Sequence, residues 1–310
     1  MKQALFIAGP TASGKSALSL RLAKDLNGVI INADSMQVYK GLRIVTACPS
    51  KEDEAAAPHR LYRFLDPSET CSAAFWAAKA KAEIDTAWER GQTPIVIGGT
   101  GMYFKVLLEG IAKVPEIDPK IRADVRLECN EAGSEVLHKE LSGYDPAAAA
   151  RLSPGDSQRI CRAVEVFRST GKALSDWHKE TGPGLMQAAD AAGQIVKLIL
   201  NPDRETLYER CNLRFDMMLE EGALEEVRNL MSKDLDPSLP AMRALGVPSL
   251  VNIIKGEQKP EAAIEDAKMQ TRRFAKRQLT WFRNQFSAWE RISAQLSESE
   301  YQKILSKNIK

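Results

Sequence analysis

The sequence predicts an α/β protein: a parallel β-sheet with helices on both faces, and a helical domain inserted into it. Short apolar segments rich in valine and isoleucine alternate with amphipathic segments over the first hundred residues. The alternation stops between about residues 115 and 184, and an apolar segment returns at Ile195–Leu200. Short buried strands separated by helices form parallel sheets that are covered on both faces. We therefore expect a core made of residues 1–114 and 185–310 and a helical insertion made of residues 115–184.

The expected elements follow from hydrophobic periodicity and from helix start and stop signals. The expected strands are Gln3–Ala8, Gly28–Asn32, Thr93–Ile97 and Ile195–Leu200. The expected helices are Lys15–Leu26, Ser72–Arg90, Ile121–Ala132, Glu135–Leu141, Ser157–Thr170 and Pro260–Gln285, and all of the chain after Asn201-Pro202 is expected to be helical. Because ligands of parallel sheets bind at the carboxyl ends of the strands, the loops after the first three strands are where a site is expected.

The first of these loops matches the phosphate-binding pattern G-x-x-x-x-G-K-[ST]. It reads Gly9-Pro10-Thr11-Ala12-Ser13-Gly14-Lys15-Ser16 and lies between a predicted strand and a predicted helix, which is the context this motif requires. Its glycines let backbone N–H groups turn toward phosphate oxygens, Lys15 adds a positive charge, and the Ser16 hydroxyl is a ligand for Mg²⁺. The motif predicts a P-loop NTPase-like fold, with an ordinary glycine turn as the alternative.

The second and third loops add a carboxylate and a hydroxyl. Asp34 follows the second strand and faces whatever the P-loop holds, so it could bind Mg²⁺, accept a proton from a nucleophile or cap a turn. Gly98-Gly99-Thr100-Gly101 follows the third strand; Thr100 is suited to orienting a substrate, unless the loop is only a flexible turn. No Asp or Glu directly follows Ile97, where P-loop hydrolases place a Mg²⁺-binding carboxylate. This absence argues against an ATPase or a GTPase.

Composition excludes several classes of protein. No apolar run approaches the ~18 residues that a membrane-spanning helix needs, and the first apolar segment meets glycine and lysine too early for a signal peptide. We therefore expect a cytoplasmic protein with no membrane partner. The five cysteines include no C-x-x-C pair, and the three histidines lack metal-ligand spacing. Neither a disulfide framework nor a zinc site is expected.

Two segments concentrate positive charge, although the formal net charge is only +2. Residues 268–283 contain six cations and no Asp or Glu, with aromatic residues interleaved. Such charges can meet a phosphate backbone, whereas Phe274 and Trp281 fit the core better at helical spacing. In the insertion, Arg159 and Arg162 share one face of a predicted helix, which could bind an anion or simply be solvated.

Together, these motifs resemble the tRNA isopentenyltransferase family, the tRNA dimethylallyltransferases. The resemblance extends in order over nearly the whole chain. The matching motifs are G-P-T-A-S-G-K-S at Gly9–Ser16, A-D-S-x-Q-V-Y at Ala33–Tyr39, G-G-T-G-x-Y at Gly98–Tyr103, D-S-Q-R-I-x-R-A-x-E-V at Asp156–Val166, T-G-K-x-L-S at Thr170–Ser175, R-F-D-M-M-L at Arg214–Leu219 and F-A-K-R-Q-x-T-W-F-R at Phe274–Arg283. The chain departs from the family pattern at three places: Val45, Arg60 and Val247-Pro248.

The resemblance implies transfer of a dimethylallyl group from dimethylallyl diphosphate to the N6 amine of the adenosine 3′ of the tRNA anticodon, with Mg²⁺ and release of pyrophosphate. Asp34 would take a proton from the amine, Thr100 would position the adenosine and Lys15 would stabilise the leaving group. The implied diphosphate site is Gly9, Thr11, Ala12, Ser13, Gly14, Lys15 and Ser16, with Ser16 as the metal ligand. The implied tRNA contacts are Asp34, Ser35, Met36, Gln37, Thr100, Arg122, Gln158, Arg159, Ile160, Cys161, Arg162, Lys276 and Arg277.

Two other functions share some of these features. A small-molecule or nucleotide kinase has the same P-loop and parallel sheet, and a nucleotide-switched RNA-binding module would also use the basic segments. The product separates them, because a kinase converts ATP to ADP whereas the transferase releases pyrophosphate only with tRNA. The expected partners are the tRNA anticodon arm and dimethylallyl diphosphate, and the protein is expected to act as a monomer.

Overall fold

The computed structural model describes residues 2–308. The chain folds into two compact units: the first contains the residues up to Leu108 and from Leu185 onward, and the second contains Glu109–Gly184. The second unit contains the insertion expected at residues 115–184 and starts at Glu109. No helix within the described residues has the length and apolar composition needed to cross a membrane.

The first unit is built on one parallel sheet. Within residues 2–308 its strands are β1 (Ala4–Ala8), β2 (Gly28–Asn32), β3 (His59–Arg60), β4 (Thr93–Gly98), β5 (Ile195–Leu200) and β6 (Glu290–Ile292). Their order is β3-β2-β4-β1-β5-β6, and every pair is parallel. Ala8 of β1 lies beside Gly98 of β4, and Asn32 of β2 lies beside Ile97. This register brings the carboxyl ends of β1, β2 and β4 to the same edge.

Helices cover both faces of the sheet and form the second unit. The α-helices of the described residues are α1 (Lys15–Asp25), α2 (Lys51–Ala56), α3 (Ala73–Glu89), α4 (Gly101–Glu109), α5 (Pro119–Ala132), α6 (Ser134–Tyr144), α7 (Pro146–Arg151), α8 (Ser157–Thr170), α9 (Leu174–Lys179), α10 (Gln187–Ala191), α11 (Arg204–Glu220), α12 (Ala223–Met231), α13 (Val247–Lys255), α14 (Pro260–Gln285) and α15 (Glu298–Asn308). Side-chain caps explain where several begin: Ser72 accepts the Phe75 N–H at the start of α3, and Asp156 accepts the Arg159 N–H at the start of α8.

Alternate residues of the central strands point to opposite faces, so each face has its own apolar layer. Phe6 of β1 lies in one layer with Trp76 of α3 and Phe104 of α4. Ile7, the next residue, lies in the other layer with Leu22 of α1. Burial of both faces explains why these strands read as continuous apolar runs in the sequence.

The long, periodic elements are confirmed and the short polar ones were missed. The bounds of β2, β5, α8 and α14 are those predicted, and β1, β4, α1, α3, α5 and α6 differ from prediction only near their ends. The expectation of helix throughout the chain after Asn201-Pro202 is wrong, because β6 adds an edge strand at Glu290–Ile292. Both β6 and β3 are very short and carry charged or polar side chains. Their strand conformation comes from pairing with β5 and β2, which local sequence does not encode.

The second unit has its own core. Val125 of α5, Leu137 and Leu141 of α6, and Ile160 and Val164 of α8 are fully buried together. Tyr144 stacks on Phe167 with ring centroids 3.7 Å apart. The insertion is therefore held by helix packing of its own rather than by the sheet.

Candidate active site

Three loops meet at the carboxyl edge of the sheet. Ala33, which follows β2, donates its N–H to the Ile97 carbonyl (2.6 Å) and accepts the Thr100 N–H at its own carbonyl (3.2 Å). A Cβ added at Gly98 would lie 2.0 Å from the Ala33 oxygen, so only glycine permits this approach. The loops after β2 and β4 are thus bonded backbone to backbone beside the P-loop.

The P-loop wraps around the N-terminus of α1. Ala12 and Gly14 have φ values of 60° and 91°, and Ser13 between them is buried. Left-handed residues in such a loop turn backbone N–H groups toward one side and create an anion-binding concavity. The N–H of Thr11 is already used, because it donates to Gln278 Oε1 (2.9 Å). Contact of Thr11 with a diphosphate stays a prediction for its side chain, which lines the small cavity described below.

Lys15 lies against the carbonyls of its own loop. Its Nζ donates to the Gly9 oxygen (2.9 Å) and to the Pro10 oxygen (2.6 Å). Burial lowers the pKa of Lys15 to about 7; the Asp34 carboxylate opposes this shift, and the Arg214 cation adds to it. An anion bound beside Lys15 would raise that pKa again and restore a full positive charge.

Arg214 of α11 is a second cation at the same place. Its Nη1 donates to Thr11 Oγ1 (3.1 Å). Burial lowers the pKa of the guanidinium, and the charge of Asp34 opposes that effect. Arg214 lies in the motif at Arg214–Leu219, but the motif alone predicts no role for it, because Thr11 is 203 residues away in the chain. The motif itself was the signal that could have found it.

Asp34 uses its two carboxylate oxygens differently. Oδ1 accepts the Met36 N–H (2.9 Å), which is the turn-capping role that the sequence left open. Oδ2 lies toward the third loop, because a Cβ added at Gly99 would be 3.3 Å from it. The backbone N–H of Asp34 donates to Asn32 Oδ1 (2.8 Å). One oxygen therefore fixes the carboxylate while the other remains beside the glycine loop.

Thr100 joins the site through Ser35. Its Oγ1 accepts the Ser35 N–H (2.9 Å) and donates to Ser35 Oγ (3.2 Å). Gln37 Nε2 donates to the carbonyls of Thr46 (2.9 Å) and Ala47 (2.8 Å). These bonds join the loop after β2, Thr100 and residues 46–47 into one continuous wall.

Three adjoining cavities run past this wall. Cavity A, of about 370 Å³, is lined by Asp34, Ser35, Met36, Arg214, Arg243, Phe274, Arg277 and others. Cavity B, of about 480 Å³, is lined by the P-loop residues Ala12, Ser13, Gly14, Lys15 and Ser16, together with Arg43, Arg210, Arg214, Met217 and others. A small cavity of about 50 Å³, which we call the neck, is lined by Thr11, Lys15, Ser16, Asp34, Gln37, Thr46, Arg214 and others.

The lining residues show how the cavities are arranged. Arg214 lines all three, Asp34 lines cavity A and the neck, and Lys15 and Ser16 line the neck and cavity B. The neck therefore lies between the two larger cavities. In the neck, the Asp34 carboxylate faces Lys15 of the P-loop, and Arg214 lies beside both side chains.

The basic helix α14 borders cavity A. Lys276 and Arg277 are exposed, as expected for residues that could contact RNA. The prediction that Phe274 is a core residue is wrong, since Phe274 is half-buried and lines cavity A, with the Arg277 guanidinium 5.6 Å from its ring centroid. Helical spacing shows that a residue faces inward but not whether it meets side chains or a cavity. Trp281 does pack inward, with its ring centroid 5.0 Å from that of Phe286.

In the second unit, four of the six predicted RNA contacts have exposed side chains. These are Arg122, Gln158, Arg159 and Arg162. The other two predictions need correction: Ile160 is 0% exposed and Cys161 is 8% exposed, because both belong to the core of the insertion. Their side chains hold α8 in place and cannot meet an RNA.

A buried carboxylate organises the arginines of this surface. Glu165 is 3% exposed and pairs with Arg126 (3.2 Å) and Arg162 (4.0 Å). Burial lowers the pKa of Arg162, Glu165 opposes this shift, and Arg122 contributes to it by repulsion. Several guanidinium groups thus lie close together on one face of the insertion.

The neck offers oxygen ligands only. Within residues 2–308, no group of three His, Cys, Asp or Glu side chains is placed to hold a metal ion. Ser16 and Thr46 provide hydroxyls and Asp34 provides one carboxylate. Mg²⁺ prefers oxygen ligands and often takes them jointly from protein and phosphate. The residues therefore suit a Mg²⁺ shared with a phosphate ligand.

The fold and this site define a P-loop α/β protein whose glycine loop lines three adjoining cavities. Comparison with known proteins is more specific, because the model of the IPP transferase family matches residues 37–285. The chain belongs to the IPP transferase family.

Individual relatives agree over nearly the full length. The tRNA dimethylallyltransferase of Nitrobacter hamburgensis is 48% identical over 297 residues, covering 96% of this chain and 92% of the relative. The solved tRNA isopentenylpyrophosphate transferase of Bacillus halodurans is 32% identical with a TM-score of 0.69, covering 99% of this chain and 97% of that one. A eukaryotic dimethylallyltransferase, whose crystal structures show it acting on tRNA, is 28% identical with a TM-score of 0.80. The match covers 99% of this chain and 77% of that one. These similarities confirm the predicted family and favour the transferase over the kinase.

Proposed function

We propose that this protein transfers a dimethylallyl group from dimethylallyl diphosphate to the N6 amine of the adenosine 3′ of the tRNA anticodon and releases pyrophosphate. The observation that carries the proposal is the neck, where Asp34 faces Lys15 and Ser16 between two larger cavities. A donor in cavity B and an acceptor base in cavity A would meet there.

The donor side suits a diphosphate attached to an apolar group. The P-loop amides, Lys15 and Arg214 supply positive potential for the diphosphate. Met217 and Met218 line cavity B with Ile44 and provide apolar surface for the isoprenoid carbons. A site of this kind suits a prenyl diphosphate and gives less support for a nucleoside triphosphate.

The acceptor side suits a flipped adenine. Cavity A has a volume within the roughly 300 to 1,000 Å³ typical of small-ligand sites. Extruding a base from a stacked loop costs a few kcal/mol, which cationic contacts with the RNA backbone offset. Specific recognition of RNA falls mainly on unstacked loop bases, which agrees with an anticodon-loop target.

The proposed reaction is a displacement at an allylic carbon. The adenine amine is a poor nucleophile because its lone pair is delocalised into the ring. Asp34 Oδ2 accepts a proton from the amine as the new N–C bond forms. The C–O bond to the diphosphate breaks, and its electron pair leaves with pyrophosphate, held by the P-loop amides, Lys15 and Arg214.

Mg²⁺ fits this scheme at Ser16, a residue in the first turn of α1 that lines the neck. Ser16 and diphosphate oxygens would hold the ion, and Asp34 lines the same cavity. When bound, Mg²⁺ would neutralise part of the negative charge of the diphosphate.

Typical magnitudes indicate which side of the neck lowers the activation free energy more. One preorganised donor at a developing negative charge contributes roughly 3 to 4 kcal/mol, and several converge on the diphosphate. A general base contributes about 10² to 10⁴ in rate, or roughly 3 to 5 kcal/mol. The leaving-group side is therefore expected to be the larger contributor.

The test is an assay of unmodified tRNA with labelled dimethylallyl diphosphate, followed by nucleoside mapping. The proposal expects label on the adenosine 3′ of the anticodon and one pyrophosphate per transfer. ATP turnover without either substrate would instead support the kinase. We also propose that the protein acts as a monomer and works in the cytoplasm, together with its tRNA substrate.

Removing one arginine of the RNA-facing surfaces should weaken tRNA binding. Arg159→Ala or Arg277→Ala is expected to lower affinity and to flatten its dependence on salt by about one phosphate contact. Arg90→Ala is the matched control, since Arg90 is exposed at the end of α3, away from the carboxyl edge of the sheet. An unchanged salt slope in both test variants would show that these charges are only solvated.

Pyrophosphate binding should be coupled to proton uptake at Lys15. Its pKa of about 7 in the protein is expected to rise beside a bound anion, so above neutral pH the lysine is mostly neutral before binding and protonated after it. Calorimetry at about pH 8 in two buffers of different ionisation enthalpy should show wild-type protein taking up as much as one proton more than Lys15→Met. Equal uptake by both proteins would assign the protons to the ligand alone.

A further inference from the structure

Gln278 is a buried amide between the two halves of the site. It lies on the inward face of α14, directly after Arg277, and is 6% exposed. Its Oε1 accepts the Thr11 N–H of the P-loop (2.9 Å), and its Nε2 donates to the Gly99 carbonyl (2.9 Å). One side chain therefore joins the loop after β1 to the loop after β4.

Both partners lead directly to residues of the proposed reaction. Thr11 also accepts a hydrogen bond from Arg214 and belongs to the loop that carries Lys15. Gly99 precedes Thr100 and lies beside Asp34 Oδ2. A Cβ added at Gly99 would lie 2.2 Å from Gln278 Nε2, so the amide is seated tightly against the loop backbone. The side chain thus spans from the phosphate cradle to the carboxylate side of the neck.

The chemistry of this contact suits a primary amide. One end must accept from a backbone N–H, and the other must donate to a backbone carbonyl. The amide of Asn or Gln carries both functions on one planar group without titrating, and Gln has the longer reach. A buried backbone N–H or C=O that loses its partner is costly, so the two loops should shift when the amide is removed.

We propose that Gln278 is a positioning residue that sets the separation between the phosphate cradle and the Asp34 carboxylate. The inference rests on the proposed transfer reaction and deepens it. Gln278 touches neither reacting group, so its loss should affect the alignment of donor and acceptor more than the binding of either. A small misplacement of reacting groups can cost about 10² in rate.

Three variants separate this role from general stability. Gln278→Leu removes both hydrogen bonds, and Gln278→Glu keeps the shape and the acceptor for Thr11. Gln285→Leu is the control on the same helix, because Gln285 is exposed near the end of α14. All three should be compared with wild type for thermal unfolding before kinetics are measured.

For Gln278→Leu, kcat should fall by about 10² while the KM values and the pyrophosphate Kd change little. The Gln278→Glu carboxylate cannot donate to Gly99, but its protonated form can. Its kcat relative to wild type should therefore rise as the pH is lowered, whereas the ratio for Gln278→Leu should stay flat. Gln285→Leu should match wild type.

Hydrogen exchange gives a readout that does not depend on turnover. In Gln278→Leu, backbone amides of residues 9–13 and 98–101 should exchange faster, since Thr11 N–H loses its buried acceptor. Unchanged exchange in both segments, an unchanged kcat, or a pyrophosphate Kd that weakens as much as kcat falls would each overturn the positioning role. Absence of any transfer by wild-type protein would instead overturn the proposed function. The hydrogen-exchange result would still show whether Gln278 orders the two loops.

Discussion

Asp34→Asn is expected to lower kcat by about 10² to 10⁴ and to leave tRNA affinity nearly unchanged. Asparagine has the same shape, and its Oδ1 can still accept the Met36 N–H, so the turn after β2 should persist. What disappears is the oxygen that takes the amine proton. A loss in kcat without a loss in binding would therefore assign Asp34 to the chemical step.

The measurement is single-turnover transfer to unmodified tRNA at saturating dimethylallyl diphosphate, with tRNA Kd measured in parallel. Asp34→Asn should show a slower transfer rate and the same Kd as wild type. Glu89→Gln removes an exposed carboxylate at the end of α3 and should behave as wild type. Near-normal turnover by Asp34→Asn would reduce Asp34 to the turn-capping role.

Replacing Arg214 should have an effect of similar size on the other side of the neck. Arg214→Met is expected to lower kcat by about 10² to 10³, because a preorganised cation beside the leaving group is lost. The side chain lines both cavities and the neck and also holds Thr11 Oγ1 (3.1 Å). Arg214→Lys keeps a charge but loses the planar geometry, so it should recover only part of the rate.

The division of the Arg214→Met effect between kcat and KM tests whether Arg214 stabilises the leaving group. Because negative charge on the leaving group grows in the transition state, kcat should fall by more than the KM for dimethylallyl diphosphate rises. Lys15→Met combined with Arg214→Met should lose less than the product of the single losses, since both cations act on one group. Arg228→Met, an exposed site on α12, is the control. A rise in KM alone would mean that Arg214 binds substrate and transition state equally.

The elements that the sequence predicted well are those whose signals are local. β2 and β5 are short runs of mostly apolar and mostly buried residues, and α14 has proline near its start and regular periodicity. The glycine loop was predicted to bind an anion because strand, loop and helix are adjacent in the chain. The same locality explains the errors, because β3 and β6 owe their conformation to neighbouring strands and Phe274 owes its exposure to a cavity.

The candidate site was predicted in its parts but not in its arrangement. Asp34 and Lys15 were identified from motifs, whereas the roles of Arg214 and Gln278 emerged only from distances. Gln278 and Thr11 are 267 residues apart in the chain and 2.9 Å apart in the structure. The sequence also suggested RNA contacts at Ile160 and Cys161, which the core of the insertion buries.

The amino-acid sequence by itself determined the α/β class, the phosphate-binding loop and the family, because each depends on residue types at fixed short spacings. Tertiary structure alone decided that Asp34, Lys15 and Arg214 share one narrow cavity and that Gln278 spans two loops. The physical reason is that short spacings set local backbone conformation, whereas the meeting of distant segments depends on how the sheet and helices bury their apolar faces together.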